Sequence, residues 1–481
     1  MEAKIKINPE KKIGKINRNI YGHFIEHLGR CIYGGIYEEN SKLSDENFFR
    51  KDVLEAIKKI KVPVLRWPGG NFASNYHWID GIGPKEKRPK KLDTAWMGED
   101  NNHFGTDEFL KYCKLIGAEP YICLNFGTGT LEEALAWVEY CNYDGDTFYA
   151  NLRKKYKNEK PYKVKYWGLG NEIYGRWQHG YCTAEEYANK AREYSQFIKK
   201  IDPTIKTIAV GANEPDWDRK VIKIAGEIID YISIHMYFTP SNYYETVGLP
   251  YFIDERIKLL EQVIEIEENN LKRENPIEIA FVEWNIWRKP VFEEENYFLA
   301  DGLFACGVFH ILHRHCKRVT MANLAQLVNI LGAIHTEKEG LILTPLYYAF
   351  LLYANNTGEF LIDSSAESET YSISYNGKDI KNIPYLDTSV TGEDNILYIA
   401  VINRHKEEKI KTHISIEKCE LKQKAEITFL TGNSPEAFNT IVKENVKVEN
   451  SKFEIHGNAF EYEFPPFSAT IIKIEKNDRY Y

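Results

Sequence analysis

Two runs, VKYWGLGNE at 164–172 and IEIAFVEWN at 277–285, are short, apolar and rich in β-formers, and both run out into carboxylates, Glu172 and Glu283. Each reads as a buried β-strand with an acid at its exit. Glutamate is almost never fully buried unless paired, so packing alone explains neither position. Two such strands suggest two carboxylates facing one cleft, the minimum equipment for general acid and nucleophile chemistry on a glycosidic bond.

Working outward from these runs, six more segments of the same kind appear: 20–27, 62–67, 119–125, 206–212, 230–237 and 318–326. Between them lie stretches such as 45–61, 105–118, 184–201 and 251–270, whose apolar residues recur every three or four positions with charges on the other face. Eight strands alternating with amphipathic helices predict an α/β chain of the (β/α)8 barrel type, a TIM barrel, rather than an open doubly wound sheet. The dinucleotide fingerprint is incomplete, since Ile173 stands where its third glycine belongs. After about residue 357 the pattern changes to short segments that alternate apolar and polar residues, and AKIKIN at 3–8 shares it. The expected organisation is a barrel over 18–356 and a C-terminal antiparallel β-sandwich built from 357–481 with a strand from 1–17.

Composition narrows the function classes. The chain has 481 residues, net charge -8 with acids and bases interspersed, 43% hydrophobic and 14% aromatic residues. No basic face for nucleic acid is expected, and no segment has the roughly 18 apolar residues of a membrane span. The first residues carry no apolar signal core, and the eight cysteines are scattered without a CxxC pair. Both point to reduced thiols in a cytoplasmic protein. His310, His313, His315 and Cys316 form the one cluster that invites a metal reading, but His310 and His313 share a helix face that His315 and Cys316 do not, so a structural role is preferred and neither a metal nor a cofactor is expected.

In a (β/α)8 barrel, chemistry sits at the C-terminal strand ends. Those ends here carry Glu26 and His27, Arg66 leading into Asn71, Asn125, Asn171 and Glu172, His235 and Tyr237, Glu283, and Asn323 and Gln326. Carboxylate, amide, imidazole and phenol groups converging from seven strands supply the directional hydrogen bonds that a polyhydroxylated ligand needs. Strands four and seven lie near opposite sides of the ring. A carboxylate separation of about 5–5.5 Å across its mouth would make the chemistry retaining. Glu172 would then be the acid, its pKa raised by the second carboxylate, and Glu283 the nucleophile.

The stretches 20–37, RWPGGNFASNYHW (66–78), GLGNEIYGRWQHG (168–180), SIHMY (233–237), VEWN (282–285) and NLAQLVN (323–329) resemble, in order, the motifs of the α-L-arabinofuranosidases of glycoside hydrolase family 51. The resemblance implies a barrel with a jelly-roll-like second domain and an exo-acting, retaining arabinofuranosidase acting on arabinose-containing oligosaccharides. It implies Glu172 as acid/base and Glu283 as nucleophile. Glu26, Asn71 and Asn171 correspond to ligands of the arabinose hydroxyls. His235 and Tyr237 would support the nucleophile, Gln326 would close the sugar pocket, and Trp96 would pack near the leaving-group side. Arg66 would either hold a carboxylate or form a plain structural ion pair. Members of the family commonly assemble as hexamers. The competing readings are a β-xylosidase or endo-β-glucanase of the same clan, and a non-catalytic carbohydrate-binding barrel.

Overall fold

The computed structural model describes residues 1–417 and 419–477. Eight parallel strands close into a barrel: β2 (Gly22–Phe24), β3 (Val64–Trp67), β4 (Glu119–Cys123), β5 (Tyr166–Gly168), β6 (Lys206–Ala209), β7 (Tyr231–Phe238), β8 (Glu278–Ile286) and β9 (Val319–Ala325), with β9 returning to pair with β2 through Asn323 opposite Gly22. Each coincides with one of the eight segments read from the sequence. Val64, Tyr121, Tyr166, Ile208, Tyr231, Ala280, Val282 and Met321 fill the interior, six of the eight strands contributing a single side chain of this layer and β8 two. A much larger apolar layer packs between the strands and the outer helices.

Those helices include α1 (Lys51–Lys59), α2 (Thr106–Ile116), α3 (Leu131–Asn142), α4 (Ala184–Ile201), α5 (Pro215–Ala225), α6 (Pro250–Leu271), α7 (Leu299–Arg314) and α8 (Pro345–Asn355). Their starts follow local chemistry: Thr183 accepts from the Glu186 amide while Glu186 reaches back to the Thr183 amide, a capping box that opens α4.

The second unit is a single nine-stranded sheet. Its strands are β1 (Glu2–Lys15), β10 (Phe360–Glu367), β11 (Leu386–Glu393), β12 (Ile396–Asn403), β13 (Ile410–Ile416), β14 (Leu421–Thr431), β15 (Lys447–Glu454), β16 (Ala459–Phe464) and β17 (Ser468–Lys476), in the order β15-β14-β17-β12-β11-β10-β1-β13-β16. The sheet curls on itself: Phe453 on one edge strand meets Phe460 and Tyr462 on the other at ring distances of 5.9 and 5.4 Å. Ile5, Ile7, Val390, Ile399, Ile414, Ile427 and Ile472 lie in the core so enclosed. Two details depart from a purely antiparallel sandwich. The N-terminal strand β1 pairs parallel with β13 as well as antiparallel with β10. The alternating segment at 370–384 stands apart as a hairpin, Thr370–Tyr375 with Lys378–Pro384, its Ile373, Ile380 and Ile383 packed against Tyr244, Tyr251 and Phe252 of the barrel's helical layer.

Candidate active site

The C-terminal strand ends deliver the site, and backbone conformation aims it. Beyond β5 the chain turns through Gly170, at φ +87°, to Glu172, at φ +42°. A side chain at 170 would be strained at that φ, and its Cβ would lie 2.7 Å from Phe126 Cβ. Glu172 itself occupies a region that non-glycine residues rarely adopt, the kind of local strain that clusters at functional positions. After β3, Pro68-Gly69-Gly70 passes so close to Glu26 that a Cβ on Gly69 would stand 2.6 Å from Glu26 Cγ.

Glu283 and Glu172 face each other with His235 between them. One oxygen of each carboxylate and a nitrogen of His235 all lie within 4.8 Å of one another. His235 Nδ1 is 2.9 Å from Glu172 Oε1 and 3.5 Å from Glu283 Oε2. Tyr237 donates to Glu283 Oε2 at 2.8 Å, and Arg66 holds Glu283 Oε1 at 2.5 Å. Arg66 also donates to Asn171 Oδ1 at 2.7 Å while its guanidinium lies over the Phe24 ring. It is buried, so it fixes the Glu283 carboxylate and the Asn171 amide in one frame.

Glu26 lies beside this pair. Its Oε1 accepts from the Gly70 and Phe72 amides and from Trp96 Nε1, each at 3.0 Å, and its Oε2 from Gln326 Nε2 at 3.1 Å. Burial nonetheless pushes its carboxyl up to about 7, with the charge of Glu283 adding to the effect and the donated hydrogen bonds opposing it. Gln326 Oε1 is buried without a protein partner, which leaves an acceptor for a hydroxyl. Asn171 Nδ2 reaches Asn71 Oδ1 at 3.5 Å.

The structure therefore brings together Glu26, Asn71, Asn171, Glu172, His235, Tyr237, Glu283, Gln326 and Trp96. Two particulars, the pairing of His235 and the pKa of Glu172, differ from the sequence reading, and two, at Trp96 and Arg66, sharpen it. His235 lies closer to Glu172 than to Glu283, so of the pair only Tyr237 bonds the latter directly. Trp96 donates to Glu26 and packs on Leu28, Ile330 and Leu331. Arg66 is no plain structural pair, since it grips the site carboxylate. The expected elevation of the Glu172 pKa is reversed: burial raises it, but hydrogen bonds from His235 and Trp177 outweigh burial and hold the carboxyl below its ordinary value.

Other polar strand ends do different work. Asn125 holds the Tyr76 carbonyl and the Thr128 turn, His27 accepts from Trp67 Nε1, and Asn323 donates to the His23 carbonyl. Sequence reasoning missed Trp177 and Tyr174, whose Nε1 and hydroxyl reach the two Glu172 oxygens at 2.9 and 3.3 Å. Their only signal was two aromatics just past the Asn-Glu pair in a glycine-containing loop.

Among the described residues, Glu172, His235 and Glu283 form the one group of three acidic, thiol or imidazole side chains close enough to share a cation. The 2.9 Å approach of His235 to Glu172 is that of an ordinary hydrogen bond, which fits acid–base chemistry better than a metal centre. The histidines of α7 disperse to separate partners: His310 to Tyr353, His313 to Tyr21 and Ser389, and His315, just beyond it, to Asp254 and Glu261. No described helix is long and apolar enough to cross a membrane.

Comparisons with known proteins agree with this geometry. A family model described as α-L-arabinofuranosidase 1 domain matches residues 56–250, and one described as α-L-arabinofuranosidase C-terminal domain matches 283–468. α-L-Arabinofuranosidase C of Emericella nidulans is 42% identical over 98% of this chain and 97% of its own length. The intracellular exo-α-(1→5)-L-arabinofuranosidase 1 of Bacillus subtilis is 34% identical over 99% of both. The crystal structure of the Thermotoga maritima α-L-arabinofuranosidase in complex with arabinose superposes with a TM-score of 0.95 at 51% identity, covering 98% of this chain and all of that one. With near-complete coverage in sequence and in structure, the chain belongs to the α-L-arabinofuranosidases of glycoside hydrolase family 51.

Proposed function

We propose that this protein is an exo-acting α-L-arabinofuranosidase that removes terminal non-reducing α-L-arabinofuranosyl residues from arabino-oligosaccharides, arabinan or arabinoxylan fragments with retention of configuration. One observation carries the reading: Glu172 and Glu283 each offer an oxygen within 4.8 Å of the other. That spacing fits the roughly 5–5.5 Å of retaining enzymes and leaves no room for the intervening water that inverting enzymes accommodate at about 6.5–9.5 Å.

In this reading Glu283 attacks the anomeric carbon while Glu172 protonates the departing glycosidic oxygen. Glu172, now a carboxylate, takes a proton from water, which attacks the same carbon and releases Glu283. Arg66 and Tyr237 hold the Glu283 carboxylate in its orientation. Glu26, Asn71, Asn171 and Gln326 take the sugar hydroxyls, and Trp96 holds Glu26 in place. Residues 18–356 form the catalytic unit, and 1–17 with 357–481 support it. An intracellular location is supported by the word in the Bacillus subtilis relative's name and by the buried free thiols of Cys31, Cys113, Cys123, Cys141, Cys306 and Cys316. A hexamer is the assembly that the family resemblance suggests.

Hydrolysis of 4-nitrophenyl α-L-arabinofuranoside, beside the β-D-xylopyranoside and β-D-glucopyranoside, tests the reading, with the released anomer followed by proton NMR. Preference for the arabinofuranoside with first-formed α-arabinose is expected. Inverted product, or preference for another sugar, would overturn it.

A further inference from the structure

Three donors hold the Glu172 carboxylate, and they are not alike. His235 and Tyr174 address Oε1 from within the site, at 2.9 and 3.3 Å. Trp177 alone, among the described residues, addresses Oε2, through its indole N–H at 2.9 Å. Its side of the site is open: Trp177 is 62% exposed, whereas His235 is 6% exposed. With Tyr174, Arg176, Asn213, Glu214 and Trp217, Trp177 lines a cavity of about 460 Å³ beside the acid.

An indole nitrogen donates and never accepts. It can therefore bond the ionised carboxylate, but it cannot receive the O–H of a protonated one. A proton on Oε2 takes one of that oxygen's two lone pairs and weakens it as an acceptor for the indole.

We propose that Trp177 is a positioning residue that sets the acid strength of Glu172: seated on Oε2 it holds the carboxylate in its base form, and a leaving group that displaces the indole frees Oε2 to carry the proton delivered to the glycosidic oxygen. The inference rests on the acid/base reading of Glu172. As the indole leaves, the Glu172 carboxylate takes up a proton from solvent through the open side of the site. The step then balances: the Glu172 O–H bond breaks as the leaving oxygen gains that proton, the glycosidic C–O electrons go to that oxygen, and a Glu283 oxygen forms the new bond to carbon. When the aglycone departs, the indole returns and Glu172 is again the base that the water step requires.

The groups facing Glu172 are His235 and Tyr237 from β7, Glu283 from β8, Arg66 from β3, Tyr174 from its own loop, and Arg176 and Glu214 at the cavity wall. Hydrogen bonding to His235 and Trp177, with the positive charge of Arg66, is what holds its carboxyl below the ordinary value. Of these, Trp177 is the member that can leave without disturbing the buried frame.

The test is the full-length enzyme with Trp177→Phe, assayed as kcat/KM against pH on arabinobiose and on 4-nitrophenyl arabinofuranoside. Losing a hydrogen bond to a charged group should move the basic limb on arabinobiose up by about one pH unit, with the acidic limb unmoved. Trp177→His, which restores a ring N–H, should bring the limb back down. An unmoved basic limb with only KM raised would overturn the proposal and make Trp177 a stacking surface. An infrared pH titration of the Glu172 carboxyl, identified as the band lost in Glu172→Gln, reads the same shift without turnover. If the wild type cleaves no arabinofuranoside the functional reading fails, whereas an infrared band that titrates identically in wild type and Trp177→Phe defeats this inference on its own.

Discussion

At the scale of single residues, the site separates its three carboxyls by their surroundings. Glu283 is gripped by Arg66, Glu172 is surrounded by donors, and Glu26 is buried deeply enough that its pKa stands at about 7 against an ordinary 4.5. A raised carboxyl pKa means that folding favours the protonated form. The associated stability is complete below pH 4.5 and is lost as pH rises through about 7. The shift corresponds to a cost on the order of 3 kcal/mol above neutrality. Glu26→Gln removes the titration, so its thermal midpoint relative to wild type should rise between pH 5 and pH 8. On the proposed role of Glu26 as a ligand of the sugar hydroxyls, saturating arabinose should shrink that difference for the wild type. A difference that is flat with pH would show that the four N–H donors already offset the burial.

At the scale of elements, what could be read depended on whether an element has one wet face. Helix α4 was legible from end to end because its charges and apolar residues segregate. Helices α7 and α8 give no such stripe: nearly every side chain of Leu299–His313 is buried, since α7 lies between the barrel and the sheet unit, so neither face is polar. The eight barrel strands showed because each is a short apolar run ending in polar residues. The hairpin at 370–384 lies outside the nine-stranded sheet, which its pattern could not show, because alternation reports a half-buried strand and not the partner that covers it. The site follows the same logic. Residues at strand ends were found, while Trp177, an exposed aromatic in an aperiodic loop, joins Glu172 only through the left-handed turn at Gly170–Glu172, which no periodicity encodes. The lowered Glu172 pKa was illegible for the same reason.

At the scale of the molecule, the barrel and the sheet unit are joined by a buried charge cluster. Asp387 on β11 accepts from Arg404 at 2.8 Å and from Arg314 at the end of α7, with His310 Nδ1 at 3.4 Å. Burial raises its pKa, but the two guanidinium charges outweigh burial and hold it well below the carboxylate range. Its contribution is present above pH 3.8 and disappears only as pH falls through the depressed folded value. Asp387→Asn would leave two cations facing a neutral amide, one of them, Arg404, fully buried, and should cost about 3–5 kcal/mol at neutral pH, read as an earlier denaturant midpoint. An unchanged midpoint would mean that apolar packing alone couples the units.

Retention by double displacement requires Glu283 to form a bond to the sugar, and the most direct measurement is to trap it. Slowing the second step with Glu172→Ala and feeding 4-nitrophenyl α-L-arabinofuranoside, which needs little protonation to depart, should accumulate the intermediate. Intact and peptide mass spectrometry after acid quench should then show one anhydropentose added to the peptide that contains Glu283. A nitrophenol burst with no adduct, or an adduct on any other residue, would contradict it.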